Sequence, residues 1–235
     1  MTISSPRNPQ LAEVRRLSAR RDRRERTGRF VAEGEDLLVA ADAAGWRPVR
    51  RFCAAGSGLP GIEVEPRLLG AASGLGSGTR ALAVYEERWA PAPSGPLCVH
   101  LHGVGDPGNV GAILRSAEAF GAASVSIGPG SADPYSPRAV RASMGAVFTV
   151  SLARASVVAQ LPRPAVALCA GRGTPLDRLR LAESTLLIGS ERDGLPEEMV
   201  AAADHVARIP VCNHSLNAAM AATVALYEAS RMARL

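Results

Sequence analysis

Residues 97–235 alternate short, largely apolar runs with segments of helical period, and that alternation leaves few folds open. The runs are Leu97–Leu101, Ser124–Ile127, Val147–Val150, Val166–Cys169, Thr185–Ile188 and His205–Ile209. Helical stretches lie between and after them at Val110–Phe120, Pro137–Ser143, Ala155–Leu161, Pro196–Ala203 and Leu216–Met232. A strand that is apolar at every position is buried on both faces, and parallel neighbours need crossovers of helical length. The expected fold class is therefore α/β, a parallel sheet covered by helices. Such folds hold ligands beyond the carboxyl ends of their strands. One strand ends in a conspicuous loop: Thr185–Ile188 runs into Gly189, Glu191 and Gly194, and Pro196–Glu197–Glu198 then suit a first helical turn.

Residues 1–88 read as a smaller α/β module. Its expected elements are a helix over Asn8–Arg26, a strand at Phe30–Ala32, a helix over Gly34–Ala44, strands at Val49–Cys53 and Ile62–Val64, a helix over Pro66–Ala72 and a strand at Ala81–Tyr85. In the first helix Leu11, Val14, Leu17 and the stem of Arg21 mark the buried face, and Arg15, Arg16, Arg20, Arg23 and Arg24 the others. The proline-rich stretch 89–96 is the expected linker, and 97–235 the second domain.

Charge is uneven along the chain. Residues 1–30 hold nine arginines against three acids, whereas the rest holds 18 against 19. The whole positive excess of +5 thus sits in the first segment. That points to a polyanion, nucleic acid first, with a solvated basic helix face as the alternative. No apolar run is long enough to cross a membrane and no apolar leader begins the chain, so a cytoplasmic protein is expected. The four cysteines are scattered without CxxC spacing, which argues for reduced thiols and against a metal site. The first strand lacks a following GxGxxG, which excludes a dinucleotide-binding oxidoreductase.

Four constellations could carry chemistry. In Asp106–Ala122, Arg115 lies off the apolar helix face; it is either a surface partner of Glu118 or, with Gly111 clearing space, a group that a phosphate can reach. Arg138 and Arg141, one turn apart and followed by Ser143 and Gly145, either grip a phosphate backbone or end a solvated helix. Gly189 permits close backbone approach to a ligand or merely a tight turn, and Glu191 can accept from an amine or hydroxyl. In Ile209–Asn217, Asn213 or Ser215 can cap the last helix, but Asn217 falls inside its first turn with no such excuse.

Together, NVGAILRSAEAFGA, RASMGA, LLIGSERDGLP and IPV…SLNAAMAATVALYE, in that order, resemble the SpoU/TrmH family of SPOUT RNA 2′-O-ribose methyltransferases. The N-terminal stretch RNPQLAEVRRLSARRDRRERTGRFVAEGEDLLVAA is similar to the L30e-like substrate-binding domain found ahead of many members. The resemblance implies a trefoil knot at the C-terminal end, a homodimer, and S-adenosylmethionine as cofactor. By motif it implies cofactor contacts at Ile188, Gly189, Ser190, Ile209, Val211 and Leu216, with Ala170 and Gly171 beside them. It implies Asn109, Arg115, Glu191, Ser215 and Asn217 as the catalytic set, no metal, and RNA contacts from Arg15, Arg16, Arg20, Arg23, Arg24, Arg138 and Arg141.

The expected activity is methyl transfer to a ribose 2′-hydroxyl in ribosomal RNA. Transfer RNA is the alternative substrate, and an inactive RNA-binding protein of the same fold the alternative class. The second rests on Cys212–Asn213–His214, a shorter loop than family members usually carry against the cofactor. An arginine stays protonated, so Arg115 is expected to position a phosphate and stabilise charge on the 2′-oxygen rather than act as a base.

Overall fold

The computed structural model describes residues 2–74, 78–212 and 216–233, which form two units with a sheet each. No helix among the described residues is long and apolar enough to cross a membrane.

In the first unit, helix α1 (Pro9–Ala19) starts at Asn8, whose side chain accepts from the Gln10 and Leu11 amides at 2.8 and 3.4 Å. It buries Leu11, Val14 and Leu17 against Val31, Phe52, Leu69 and Leu82. The single helix expected over Asn8–Arg26 is in fact two. The chain turns extended at Arg20 (φ −124°, ψ 116°), and α2 (Arg21–Thr27) follows. The break has a local cause: Arg24 turns inward and donates to the Leu17 carbonyl (2.7 Å), satisfying an end that a continuing helix would have bonded. Arg24, read as solvent-facing, is thus buried, while Arg21, read as part of the apolar face, is exposed and paired with Glu25. Strands β1 (Arg29–Glu33), β2 (Arg50–Ala54), β3 (Ile62–Val64) and β4 (Ala81–Glu86) form a sheet in the order β1-β4-β2-β3, with only β2 and β3 parallel. Helices α3 (Glu35–Ala43) and α4 (Pro66–Ala72) complete the N-terminal part.

This unit is not contiguous. It comprises Met1–Glu87 and also Tyr135–Phe148, which holds α6 (Pro137–Ala142; α5, Pro107–Ala119, belongs to the second unit). Tyr135–Phe148 thus lies beyond the linker expected at residues 89–96 and yet packs in this unit. Tyr135 stacks on Phe30 with centroids 4.6 Å apart, and Phe148 lies 5.2 Å from Trp46 and 5.3 Å from Tyr85. The Trp46 indole N–H donates to the Phe148 carbonyl (2.8 Å). These contacts also explain why Val147–Val150 is not the expected strand. Gly145 (φ +104°) turns the chain, and Ala146–Phe148 make a 3₁₀ turn that buries all three side chains.

The second unit, Arg88–Pro134 and Thr149–Leu235, is the expected parallel sheet. Its strands are β5 (Cys98–Leu101), β6 (Ser124–Ile127), β7 (Ser151–Arg154), β8 (Ala165–Leu168), β9 (Thr174–Pro175), β10 (Thr185–Ile188) and β11 (His205–Arg208), ordered β7-β6-β5-β10-β8-β11-β9. Every pairing is parallel. β10 is central and buried throughout, with Thr185 opposite Cys98 on one side and Ala165 on the other. Helix α7 (Glu197–Ala202) packs Met199 and Val200 onto Ala165, Ala167 and Leu187. Helix α8 (Ala218–Met232) packs on α5, where the Ser116 and Thr223 hydroxyls bond at 2.7 Å. The helix expected over Ala155–Leu161 shrinks to a 3₁₀ turn at Val158–Gln160, because the Gln160 side chain accepts from the Ser156 and Val157 amides (2.7 and 3.3 Å) and Pro162 follows.

His100 of β5 has no exposure, and its Nδ1 sits 2.8 Å from the Ser126 hydroxyl. Burial, and secondarily the neighbouring His102, lowers its pKa to about 4.

Candidate active site

Beyond the carboxyl ends of β8, β10 and β11 the second unit opens a cavity of about 630 Å3, within the range of small-molecule sites. Three stretches line it: Leu168–Arg172, Ile188–Leu195 and Arg208–Ile209 with Val211; Leu216, Ala218 and Ala221 close one side. Ala170, Gly171, Ile188, Gly189, Ser190, Ile209, Val211 and Leu216, the expected cofactor contacts, all lie in this lining.

The loop after β10 is held by its own backbone. Ser190 and Gly194 exchange amide-to-carbonyl bonds of 3.1 Å each, and the Asp193 amide donates to the Ser190 hydroxyl (2.9 Å). The doubled-back loop explains Gly189: a Cβ there would stand 2.2 Å from the Gly194 carbonyl carbon and 2.4 Å from the Leu195 nitrogen. The atoms that exclude a side chain belong to the loop itself, so this crowding is that of the tight-turn alternative. The loop after β5 comes near as well, since a Cβ on Gly103 would lie 3.3 Å from that of Ser190.

Three segments meet at Asn109. Asp106 caps α5 by accepting from the Asn109 amide (3.0 Å), which puts Asn109 in the first turn. The Asn109 side-chain amide donates to Glu191, and its carbonyl oxygen accepts from the Asn217 amide at 3.5 Å. Asn217 is itself the cap of α8, its Oδ1 accepting from the Met220 amide (2.8 Å), so it lies before the first turn rather than inside it. The alternative caps Asn213 and Ser215, together with His214, lie outside the described residues, as does the shortened loop they belong to.

Arg115 stands apart. It is exposed on α5 and lines no part of the cavity, and its side chain makes no hydrogen bond or ion pair with the described residues. The surface pair with Glu118 does not form; Glu118 accepts from the Thr149 hydroxyl at 2.5 Å. Arg138 and Arg141 are exposed in the first unit, on and at the end of α6. Of the other expected RNA contacts, Arg15 donates to the Pro6 carbonyl (3.0 Å) and Arg23 grips Glu13 (2.8 Å).

Sequence reasoning missed the charged rim. Arg172, Arg192, Asp193 and Arg208 also line the cavity. Arg172 bonds Glu197 at 2.6 and 3.2 Å, which holds that carboxyl below its usual range, and Arg208 donates to the Gly173 carbonyl (3.1 Å). Arg192 and Asp193 sit in the loop already singled out, so reading every residue of it would have found them. Arg172 and Arg208 depend on β9, a two-residue edge strand with no periodicity to read.

Comparison with known proteins agrees with this arrangement. Residues 96–227 match the SpoU rRNA Methylase family model. The chain is 32% identical to a Ribosomal RNA small subunit methyltransferase G 2 of Syntrophobacter fumaroxidans, across 97% of this chain but only 49% of that longer protein. It is 30% identical to the 23S rRNA (uridine(2479)-2′-O)-methyltransferase of Streptomyces viridochromogenes, across 96% and 90% of the two chains. The AdoMet-bound rRNA methyltransferase of Sinorhizobium meliloti superposes with a TM-score of 0.87 at 29% identity, covering 98% of this chain and 97% of its own. With its central β10 loop, its Asn109–Glu191–Asn217 junction and this family match over more than half its length, the chain belongs to the SpoU rRNA methylase family.

Proposed function

We propose that this protein transfers a methyl group from S-adenosylmethionine to a ribose 2′-hydroxyl of ribosomal RNA, acting as a homodimer. The observation that carries the reading is the Asn109–Glu191–Asn217 junction, which joins the cavity-lining loop to the first turn of α5 and the cap of α8.

The cavity fits the cofactor. Its lining offers backbone groups from three strand ends, a glycine that admits no side chain, and the carboxylates of Glu191 and Asp193 for a cationic ligand. Residues 188–190, 209, 211 and 216 would hold it, with Ala170 and Gly171 alongside. When bound, S-adenosylmethionine supplies an electrophilic methyl group for direct displacement by the 2′-oxygen. The chain's own part is placement. Asn109 fixes the Glu191 carboxylate by one oxygen and leaves the other to orient a hydroxyl or amine. Asn217 holds Asn109 in turn, and Ser215, matched by motif, is proposed as a further member of the catalytic set. Arg115 grips the target phosphodiester and stabilises the charge that develops on the 2′-oxygen.

Arg115 is outside its own chain's cavity, and this supports the dimer. Met220, Val224 and Tyr227 project from successive turns of α8 with exposures of 60, 40 and 55%. Apolar side chains aligned this way favour burial against a partner. In this reading a second copy seats on α8 and supplies the Arg115 that serves the cavity.

The test is methyl transfer from labelled S-adenosylmethionine to unmodified ribosomal and transfer RNA, with nucleosides identified after digestion. A 2′-O-methyl nucleoside from ribosomal RNA, lost in Arg115→Ala, is the expected result. Label only in transfer RNA changes the substrate. RNA binding without label from either RNA supports the inactive alternative.

A further inference from the structure

The fold sorts eight of the nine arginines of residues 1–30, all but Arg7. Arg24 is buried on the Leu17 carbonyl, Arg15 donates to Pro6, Arg21 pairs with Glu25 and Arg29 with Glu86. Arg16, Arg20, Arg23 and Arg26 instead line one concavity of about 320 Å3. Arg16 comes from α1, Arg20 from the extended corner, and Arg23 and Arg26 from α2, so the break at Arg20 brings two short helices to one space.

Two carboxylates balance part of this charge. Glu13 holds Arg23 at 2.8 Å and lies 4.0 Å from Arg16, and Asp22 takes Arg26 at 2.9 Å. The Arg20 side chain has neither a hydrogen bond nor an ion pair with the described residues, and two of the four positive charges are unmatched. Like charges massed around an open space repel until an anion enters. Guanidinium forks match phosphate oxygens in pairs, which favours a ligand carrying more than one phosphate.

The same unit has no surface for stacking bases. Phe30, Trp46, Phe52, Tyr85, Tyr135 and Phe148 are its aromatic residues, and each is at most 6% exposed. Recognition here runs through phosphates. We propose that Arg16, Arg20, Arg23 and Arg26 form a cradle for consecutive phosphates of the substrate RNA backbone. This rests on the reading of the chain as an RNA methyltransferase. It revises the N-terminal part of the arginine set that the resemblance implies: Arg26 enters, Arg15 and Arg24 leave, and Arg138 and Arg141 are unaffected.

The experiment is fluorescence anisotropy of a labelled RNA hairpin with the full chain, across a salt series. Arg20→Ala/Arg26→Ala is compared with Arg47→Ala/Arg50→Ala, which removes equal charge from exposed positions of the same unit outside the cradle. The cradle pair should weaken binding about tenfold or more and flatten the salt dependence by about two. The control pair should stay near wild type, and S-adenosylmethionine affinity, read by calorimetry, should not change for either. Equal losses from both pairs would mean a diffuse basic surface and overturn the cradle. Wild-type binding by the cradle pair, with methylation intact, would overturn the cradle and leave the function standing. A wild-type protein that neither binds nor methylates RNA would overturn both. Pyrophosphate bound at the cradle without RNA binding would assign it to free anions instead.

Discussion

Space rather than torsion excludes a side chain at Gly189, while Gly194, five residues on, is the reverse case. Gly194 sits at φ +68° with nothing within 4 Å of its missing Cβ, whereas Gly189 faces the Gly194 carbonyl carbon at 2.2 Å. Gly189→Ala must therefore open the loop that lines the cavity. Gly194→Ala costs about 1 kcal/mol of backbone strain but leaves the room intact. Calorimetry with S-adenosylmethionine should show about a tenfold or greater loss for Gly189→Ala and a much smaller one for Gly194→Ala. His100 gives a second residue-scale expectation. Its folded pKa of about 4 lies below the ordinary 6.5, so the unfolded chain binds the extra proton between those values. Stability should fall as pH drops from 6.5 toward 4 and then level off, by up to about 3 kcal/mol. Glu197, Asp204 and Glu228 are depressed carboxylates that also lose stabilisation on acidification, but they are solvent-screened. Urea melts of wild type and His100→Asn across this range isolate the histidine: the variant should lack the difference.

At the scale of elements, α8 carries two loads. Its cap, Asn217, ties it to Asn109, and its outer face displays Met220, Val224 and Tyr227. Met220→Glu/Tyr227→Glu should leave the fold intact, because both side chains are exposed, and should shift the protein to monomers in sedimentation velocity. Loss of methyl transfer in the same variant would tie the dimer to Arg115. Elements are also where the sequence was most legible. The runs Ser124–Ile127 and Thr185–Ile188 are strands with the expected limits, and the helix Pro66–Ala72 keeps its limits too. Errors fell where a side chain overrode local pattern. Gln160 capped Ser156 and Val157 and left only a turn, Arg24 broke a helix by bonding backward, and Asn217 proved to be a cap. None of these bonds leaves a periodicity to detect. The cavity lining was legible through the family resemblance, whose motifs fall at strand ends; Arg172 and Arg208 were not, because β9 has two residues.

Taken whole, the chain departs from its apparent two-part layout at Tyr135–Phe148. No local signal links Tyr135 to Phe30 or Phe148 to Trp46, since the partners are far apart in sequence and only packing joins them. A fragment ending at residue 88 would expose Phe30, Trp46 and Tyr85, and should lack a cooperative thermal transition by circular dichroism. Adding Tyr135–Phe148 through a short flexible tether should restore one. The strand order carries a consequence for biosynthesis. β5 leaves the ribosome early and β10, its central neighbour, much later, after β8 has already been made. Throughout that interval the nascent sheet lacks its middle strand, and two hydrogen-bonding edges face an empty slot four residues long. During translation the chain must keep that slot from closing on itself or capturing a foreign strand until Thr185–Ile188 arrives.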